Sequence, residues 1–229
     1  MTQVRWPRGL FVTGTDTGVG KTRVAVALLN ALARAGAAVA GFKPVASGCT
    51  RRDGRLVNDD AAALFRASTV DATYDEVNPY AFEQAIAPHL AARHVGVTID
   101  RARIRASYEK LVARADFVVV EGAGGWLVPL GADSTMADIA GDLGLPIVLV
   151  VAMRLGCINH ALLTAQAIAA SGQRLAGWVA NDPQPAMPER EASVAAIAER
   201  VAAPCIADLA FGAEPNLETI ASHCLAISF

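Results

Sequence analysis

The stretch that most restricts what this chain can fold into is Gly14-Thr-Asp-Thr-Gly-Val-Gly-Lys21-Thr22. The apolar run Leu10-Phe11-Val12 precedes it, and Val24-Ala-Val-Ala-Leu-Leu29 follows at helical spacing. Strand, glycine-bearing turn and helix in that order make a phosphate cradle. The helix N-terminus and successive backbone N–H groups face an anion, Lys21 reaches the outer phosphates, and the Thr22 hydroxyl is a magnesium ligand. The commonest form of this loop has glycine where Thr15 stands, whereas here Gly14 lies one position earlier. A glycine-rich turn that binds nothing would share the glycines but has no need of the lysine, the hydroxyl and the helix together.

A parallel sheet covered on both faces needs an apolar chain, and 53% of the 229 residues are apolar while 18% are charged. The apolar runs Ala37–Phe42, Phe117–Val120, Pro146–Val151, Leu175–Ala180 and Pro204–Ala207 read as further strands. Between them, helical patterns are expected from Asp60, over Arg101–Ala115 and Met136–Leu143, from Cys157 to Ala170, over Glu189–Val201 and over Leu217–Leu225. Val45–Asp59 is expected to be a loop. Val70–Gly96 shows no strong periodicity, with turns at Asn78-Pro79 and Ala87-Pro88. Strands alternating with helices predict an α/β fold, a doubly wound and mostly parallel sheet with helices on both faces, of the P-loop NTPase type. No linker or repeat divides the chain, so one domain over residues 1–229 is expected.

The net charge of −2 offers nothing to nucleic acid or to an anionic membrane. The four cysteines, Cys49, Cys157, Cys205 and Cys224, lack the spacing of a zinc site or a disulfide framework. His89, His94, His160 and His223 lack metal-ligand spacing. The first strand begins within ten residues of the start, which leaves no room for a signal peptide, and no run is long enough to span a bilayer. A soluble cytoplasmic protein is the expectation.

In such a sheet, ligands sit at the carboxyl ends of the strands. The polar residues falling there are Lys21 and Thr22, Lys43 and Ser47, Glu121, and Asn181. Val118-Val-Val-Glu121 places an acid after an apolar strand, where it reaches a magnesium held by Thr22. Asp60 is either a second acidic contact or a helix N-terminal charge. Lys43 is either a solvated loop charge or a second positive charge beside a transferring phosphoryl group. Two other motifs fail: Gly122-Ala-Gly124 is followed by Leu127 where a dinucleotide-binding turn needs glycine, and Ser47 lacks the glycine of a hydrolase elbow at Val45.

Six blocks together resemble the dethiobiotin synthetase family: Thr13–Thr22, Gly41-Phe-Lys-Pro-Val-Ala-Ser-Gly48, Val77-Asn-Pro-Tyr80, Val120-Glu-Gly-Ala-Gly-Gly-Trp126, Leu155-Gly-Cys-Ile-Asn-His160 and Ala176-Gly-Trp-Val-Ala-Asn-Asp182. The resemblance implies an ATP- and Mg²⁺-dependent ligase, normally a homodimer. Such an enzyme closes the ureido ring of dethiobiotin from 7,8-diaminopelargonate (7,8-diaminononanoate) and CO₂. It implies nucleotide contacts from Thr15, Gly18, Val19, Gly20, Lys21, Thr22, Arg23, Asp60, Glu121, Gly124, Asn181, Asp182 and Glu214, with Asn181 reading the adenine edge. It implies metal binding by Thr22, Asp60 and Glu121. Lys43 is implied to stabilise the carbamate and the phosphoryl group in flight, with Lys21 as the other catalytic lysine. Thr17, Lys43 and Ser47 are implied near the diamine. Gly156, Cys157 and Asn159 are implied to receive the substrate's distant carboxylate across the subunit interface. Two places depart from the family pattern: Gly18 stands where some members carry glutamate, and Ala207-Asp-Leu-Ala210 lacks the Ile-Pro often found where the base packs, so that Glu214 alone remains of that region.

The alternative on the same fold is a nucleotide-switched partition or positioning ATPase. Those proteins carry an early lysine five positions before the catalytic one, and here that position is Asp16. An amide-forming ligase of the cobyrinate type usually carries a glutaminase domain, which a chain of this length cannot hold.

Overall fold

The computed structural model describes residues 9–185, 187–213, 215, 216 and 222. The expected helix over Leu217–Leu225 and the expected nucleotide contact Glu214 lie outside the described residues. The elements in chain order are β1 (Gly9–Gly14), α1 (Lys21–Arg34), β2 (Val39–Phe42), β3 (Val45–Ser47), β4 (Thr50–Arg52), β5 (Arg55–Val57), α2 (Asp59–Ala67), α3 (Tyr74–Val77) and β6 (Tyr80–Phe82). They continue as α4 (Pro88–His94), α5 (Arg101–Val112), β7 (Phe117–Glu121), α6 (Met136–Leu143), β8 (Ile147–Ala152), α7 (Cys157–Ala170), β9 (Leu175–Asn181), α8 (Arg190–Ala198) and β10 (Cys205–Leu209).

Six strands form one sheet in the order β10-β9-β8-β1-β7-β2, and every pair in it is parallel. The alternation of side chains along each strand divides the core in two. Leu10, Val12, Val119, Val148 and Val150 face α1 and α2, while Phe11, Val118, Val120 and Ile147 face α4, α5 and α6, and Leu149 and Val151 face α7 and α8. Both faces are covered, as the apolar composition requires. On α1 the buried Leu28, Leu29 and Leu32 each contribute on the order of 2 kcal/mol of transfer free energy. Among the described residues no helix is long and apolar enough to cross a membrane.

The interval Val45–Asp59, expected as a loop, holds more structure than its composition signals. β3 pairs in parallel with β6, and Thr50–Val57 forms a small antiparallel hairpin, β4–β5. Elements of three residues are too short for a hydrophobic period to register. The aperiodic stretch after Val70 likewise contains α3, β6 and α4. Ala87-Pro88 starts α4 with proline in its first turn, where the missing N–H costs nothing.

The approach of α2 to the sheet depends on Gly41. A Cβ there would lie 2.6 Å from Leu64 Cβ and 3.0 Å from Leu64 O. Since α2 carries Asp60 in its first turn, the bare glycine surface sets where that carboxylate sits. Gly41→Ala is expected to destabilise the protein by about 2 kcal/mol, seen as a fall in Tm of roughly 4–8 °C in a thermal melt. An unchanged Tm would mean that α2 slides freely.

Candidate active site

Register places the central pair. Phe42 of β2 lies opposite Val120 of β7, so Lys43 and Glu121 leave the sheet side by side. Both follow the alternation that faces α1 and α2. Lys43 is held by its own backbone: its N–H donates to Val77 O at 2.8 Å, and Asn78 Nδ2 donates to its carbonyl at 2.7 Å. Its ammonium donates to Glu121 Oε1 at 2.5 Å and to Asp60 Oδ2 at 2.9 Å. Thr22 Oγ1 donates to the same Glu121 oxygen at 3.0 Å. Glu121 is completely buried, and its Oε2 has no hydrogen-bond partner among the described residues. Asp60 is positioned by Asn58, whose side chain caps α2 by accepting from the N–H groups of Asp60 and Ala61.

The phosphate loop closes on itself through Lys21, whose Nζ donates to Asp16 O at 2.9 Å. Asp16 in turn pairs with Arg154 at 2.6 Å. Gly20, at φ +94°, is the N-cap of α1, and no side chain caps that helix end. A Cβ on Gly20 would collide with Asn181 Nδ2 at 2.2 Å, so glycine is required by both backbone and neighbour.

Four charges share this space, and their ionisation follows from burial and neighbours. Burial, and then the like charge of Lys43, lower the Lys21 pKa to about 8. Burial also disfavours the Lys43 ammonium, but Glu121 and Asp60 together outweigh it and hold Lys43 above the ordinary lysine value. For Asp60, burial is overcome by the Lys43 charge, and its carboxyl falls below the ordinary range. Burial pushes the Glu121 carboxyl up against the pull of Lys43. With Lys43 and the Thr22 hydroxyl both donating into Oε1, the pair is an ammonium beside a carboxylate.

Most of the residues singled out in the sequence meet in one cleft of about 660 Å³. Thr17, Gly18, Gly20, Lys21, Thr22, Lys43, Ser47, Asp60, Glu121 and Gly124 all line it. Ser47 Oγ is buried there without a hydrogen-bond partner among the described residues. Of the nucleotide contacts implied by resemblance, Val19 is buried beneath the loop, and Thr15 lines a separate groove with Trp126 and Leu163. Arg23 donates to Asn181 Oδ1 at 2.8 Å, and the carboxylate of Asp182 is committed to Arg190. Gly156, Cys157 and Asn159 stand at the start of α7 and do not line the cleft. That helix begins like α1, on a glycine at positive φ with no side-chain cap.

Sequence reasoning missed the lining segment Ala85, Ile86, Ala87 and Pro88 as a wall of the cleft, and the helix cap Asn58. Asn58 carried a readable signal, an asparagine directly before two acids and an alanine run. The wall carried none.

Removing Lys43 would leave a fully buried carboxylate unpaired. Lys43→Met is therefore expected to cost about 3–5 kcal/mol in urea unfolding. Adding Glu121→Gln should return at least half of the loss, because it removes the charge left behind. Additive losses in the double variant would contradict the pairing.

The chain is similar to known proteins along most of its length. A family model described as an AAA domain matches residues 8–216. The ATP-dependent dethiobiotin synthetase BioD of Pseudomonas paraeruginosa (strain DSM 24068 / PA7) is 52% identical over 214 residues, 93% of this chain and 94% of its own. The enzyme of the same name from Aromatoleum aromaticum is 52% identical over 200 residues, 87% of this chain and 89% of its own. Among solved structures, the MinC:MinD cell division protein complex of Aquifex aeolicus aligns with a TM-score of 0.57 at 16% identity, covering 95% of this chain and 86% of that one. At that identity the likeness is one of fold, the P-loop α/β fold expected above. Identity of one half along nearly the whole of both chains is of another order, and the chain belongs to the ATP-dependent dethiobiotin synthetase family.

Proposed function

We propose that the cleft closes the ureido ring of dethiobiotin, a step of biotin biosynthesis, from 7,8-diaminononanoate, CO₂ and ATP, releasing ADP and phosphate. The observation that carries this reading is the buried Lys43 ammonium held between Glu121 and Asp60 beside the phosphate loop. A reaction that passes through a carbamate and then a carbamic–phosphoric anhydride gathers negative charge at one place. It needs fixed positive charge there and no protein nucleophile.

One amine of the substrate adds to CO₂, and Lys43 stabilises the carbamate that results. Lys21 and the uncapped start of α1 hold the β- and γ-phosphates. The carbamate oxygen then attacks the γ-phosphorus in line, and the ammonium groups of Lys21 and Lys43 neutralise the charge that builds. The second amine attacks the activated carbonyl carbon, phosphate departs with the bond to oxygen, and the ring closes. Thr17 and Ser47 orient the diamine, the free hydroxyl of Ser47 offering a partner to an amine or the carbamate. Asn181 reads the base, with Thr15, Gly18, Val19, Gly20, Thr22, Arg23, Gly124 and Asp182 around the nucleotide.

Mg²⁺ suits the donor set. Thr22, Asp60 and Glu121 supply hard oxygen atoms, Glu121 Oε2 lacks a hydrogen-bond partner among the described residues, and one or two carboxylates are usual for a magnesium held mainly by phosphates. Among the described residues no group of three or more His, Cys, Asp or Glu is arranged to hold a metal, which disfavours an all-protein cage. The ion, when bound, neutralises phosphate charge.

We further read the chain as one cytoplasmic domain that works as a homodimer, with Gly156, Cys157 and Asn159 serving the neighbouring copy's cleft. Leu155 next to them is 98% exposed, and Leu127 and Leu163 are exposed on the same molecule. The switch-ATPase reading finds less support: Asp16 occupies the early lysine position and is spent on Arg154.

Phosphate release from ATP should require bicarbonate and 7,8-diaminononanoate together, with the ring-closed product seen by mass. Release indifferent to the diamine would move the protein to the switch class. Lys43→Ala, assayed on folded protein, should lower turnover about 100-fold or more while ATP affinity changes only a few-fold. Equal losses in both would remove the role given to Lys43.

A further inference from the structure

Arg23 lies in the first turn of α1, one residue past the phosphate loop, and its guanidinium is engaged by the carboxyl end of β9 and the segment after β10. Nη1 donates to Asn181 Oδ1 at 2.8 Å. Nη2 donates to Ala210 O at 3.0 Å and to Ala213 O. A guanidinium only donates and a peptide carbonyl only accepts, so the Asn181 amide has a single possible orientation. Oδ1 meets Arg23, and Nδ2 donates to Val19 O at 2.8 Å. Asn181 is 1% exposed. Three acceptors from β9 and the segment after β10 thus converge on one donor fork at the position where Asn181 is read as meeting the base.

We propose that Arg23 is an internal competitor at the base site. Its guanidinium holds Asn181 Oδ1 and two backbone carbonyls, acceptors among which the two N–H groups of a base's exocyclic amine would find partners on binding. The inference rests on the reading of Asn181 given above. Leaving those acceptors unmet is costly, so whatever displaces the guanidinium must bring donors of its own. Adenine and cytosine carry an amine at the required edge. Guanine and uracil carry a carbonyl oxygen there, which would face Asn181 Oδ1 and the two backbone carbonyls with no proton between them. A groove of about 470 Å³, lined by Arg23, Val26, Asn30, Ala213 and Pro215 among others, gives the displaced side chain room to turn.

The competition is read by measuring Kd for ATP, GTP and inorganic tripolyphosphate with the full-length protein, its Arg23→Met variant and its Arg23→Lys variant. Losing a positive charge weakens all three ligands alike, so the informative quantity is Kd for tripolyphosphate divided by Kd for the nucleotide. For ATP this ratio should rise about three- to tenfold in Arg23→Met. It should rise in the same direction in Arg23→Lys, which keeps the charge and loses the fork. For GTP the ratio should stay where it was. An ATP ratio that is unchanged or falls in both variants, or a GTP ratio that rises as much, overturns the inference. If Arg23→Met does not fold, Arg23→Lys decides alone. Tripolyphosphate bound as tightly as ATP by the wild type and by both variants would remove Asn181 as the base reader and the competitor with it. A wild-type preference for ATP without the change in the variants would remove the competitor only.

Discussion

The buried contact between Lys43 and Glu121 is what the cleft is built around. An ion pair with both partners out of water is costly unless its remaining polar atoms are met. Here Lys43 finds a second carboxylate in Asp60, and Glu121 receives a second donor in Thr22. With the pair itself, those two additions tie together four places in the fold: the start of α1, the end of β2, the end of β7 and the first turn of α2. Moving any one of them would strand a charge. The loop, the strand ends and the helix are therefore held to one another by electrostatics as well as by the apolar face beneath them.

That arrangement was partly legible before any coordinates. A lysine directly after the apolar run ending at Phe42, and a glutamate directly after Val118–Val120, are visible as strand-end residues, and a parallel sheet brings strand ends together. What the sequence could not supply was register. One residue of slip would turn Lys43 to the opposite face. From sequence Asp60 fits either a metal contact or a helix-end charge; in the structure its carboxylate pairs with Lys43 while Asn58 does the capping.

The misses have physical causes of two kinds. β3, β4, β5, β6 and α3 are too short to leave a period, although α3 carries the Thr73 and Glu76 pattern of a capping box. The tie from Arg23 to Asn181 spans 158 residues and depends on where β9 and β10 end relative to α1, a tertiary fact with no local signature. The fully buried strand β8 and the amphipathic helix α6 are legible from pattern alone, the first because burial on both faces leaves its composition no freedom and the second because its buried residues recur at helical spacing.

The two lysines of the cleft divide the labour by how they are compensated. Lys43 has two carboxylates and keeps its proton more firmly than a free lysine would. Lys21, nearly as buried, has among the described residues no carboxylate at ion-pair distance, only the carbonyl of Asp16. Burial and the like charge of Lys43 bring its pKa down to about 8. Among the protein's own groups the cleft is thus short of negative charge on the Lys21 side and balanced on the Lys43 side. A polyphosphate placed on the loop would correct the first imbalance without disturbing the second. Lys43 would then be left where it stands, held between Glu121 and Asp60 rather than by the nucleotide, and free to serve the group that attacks it.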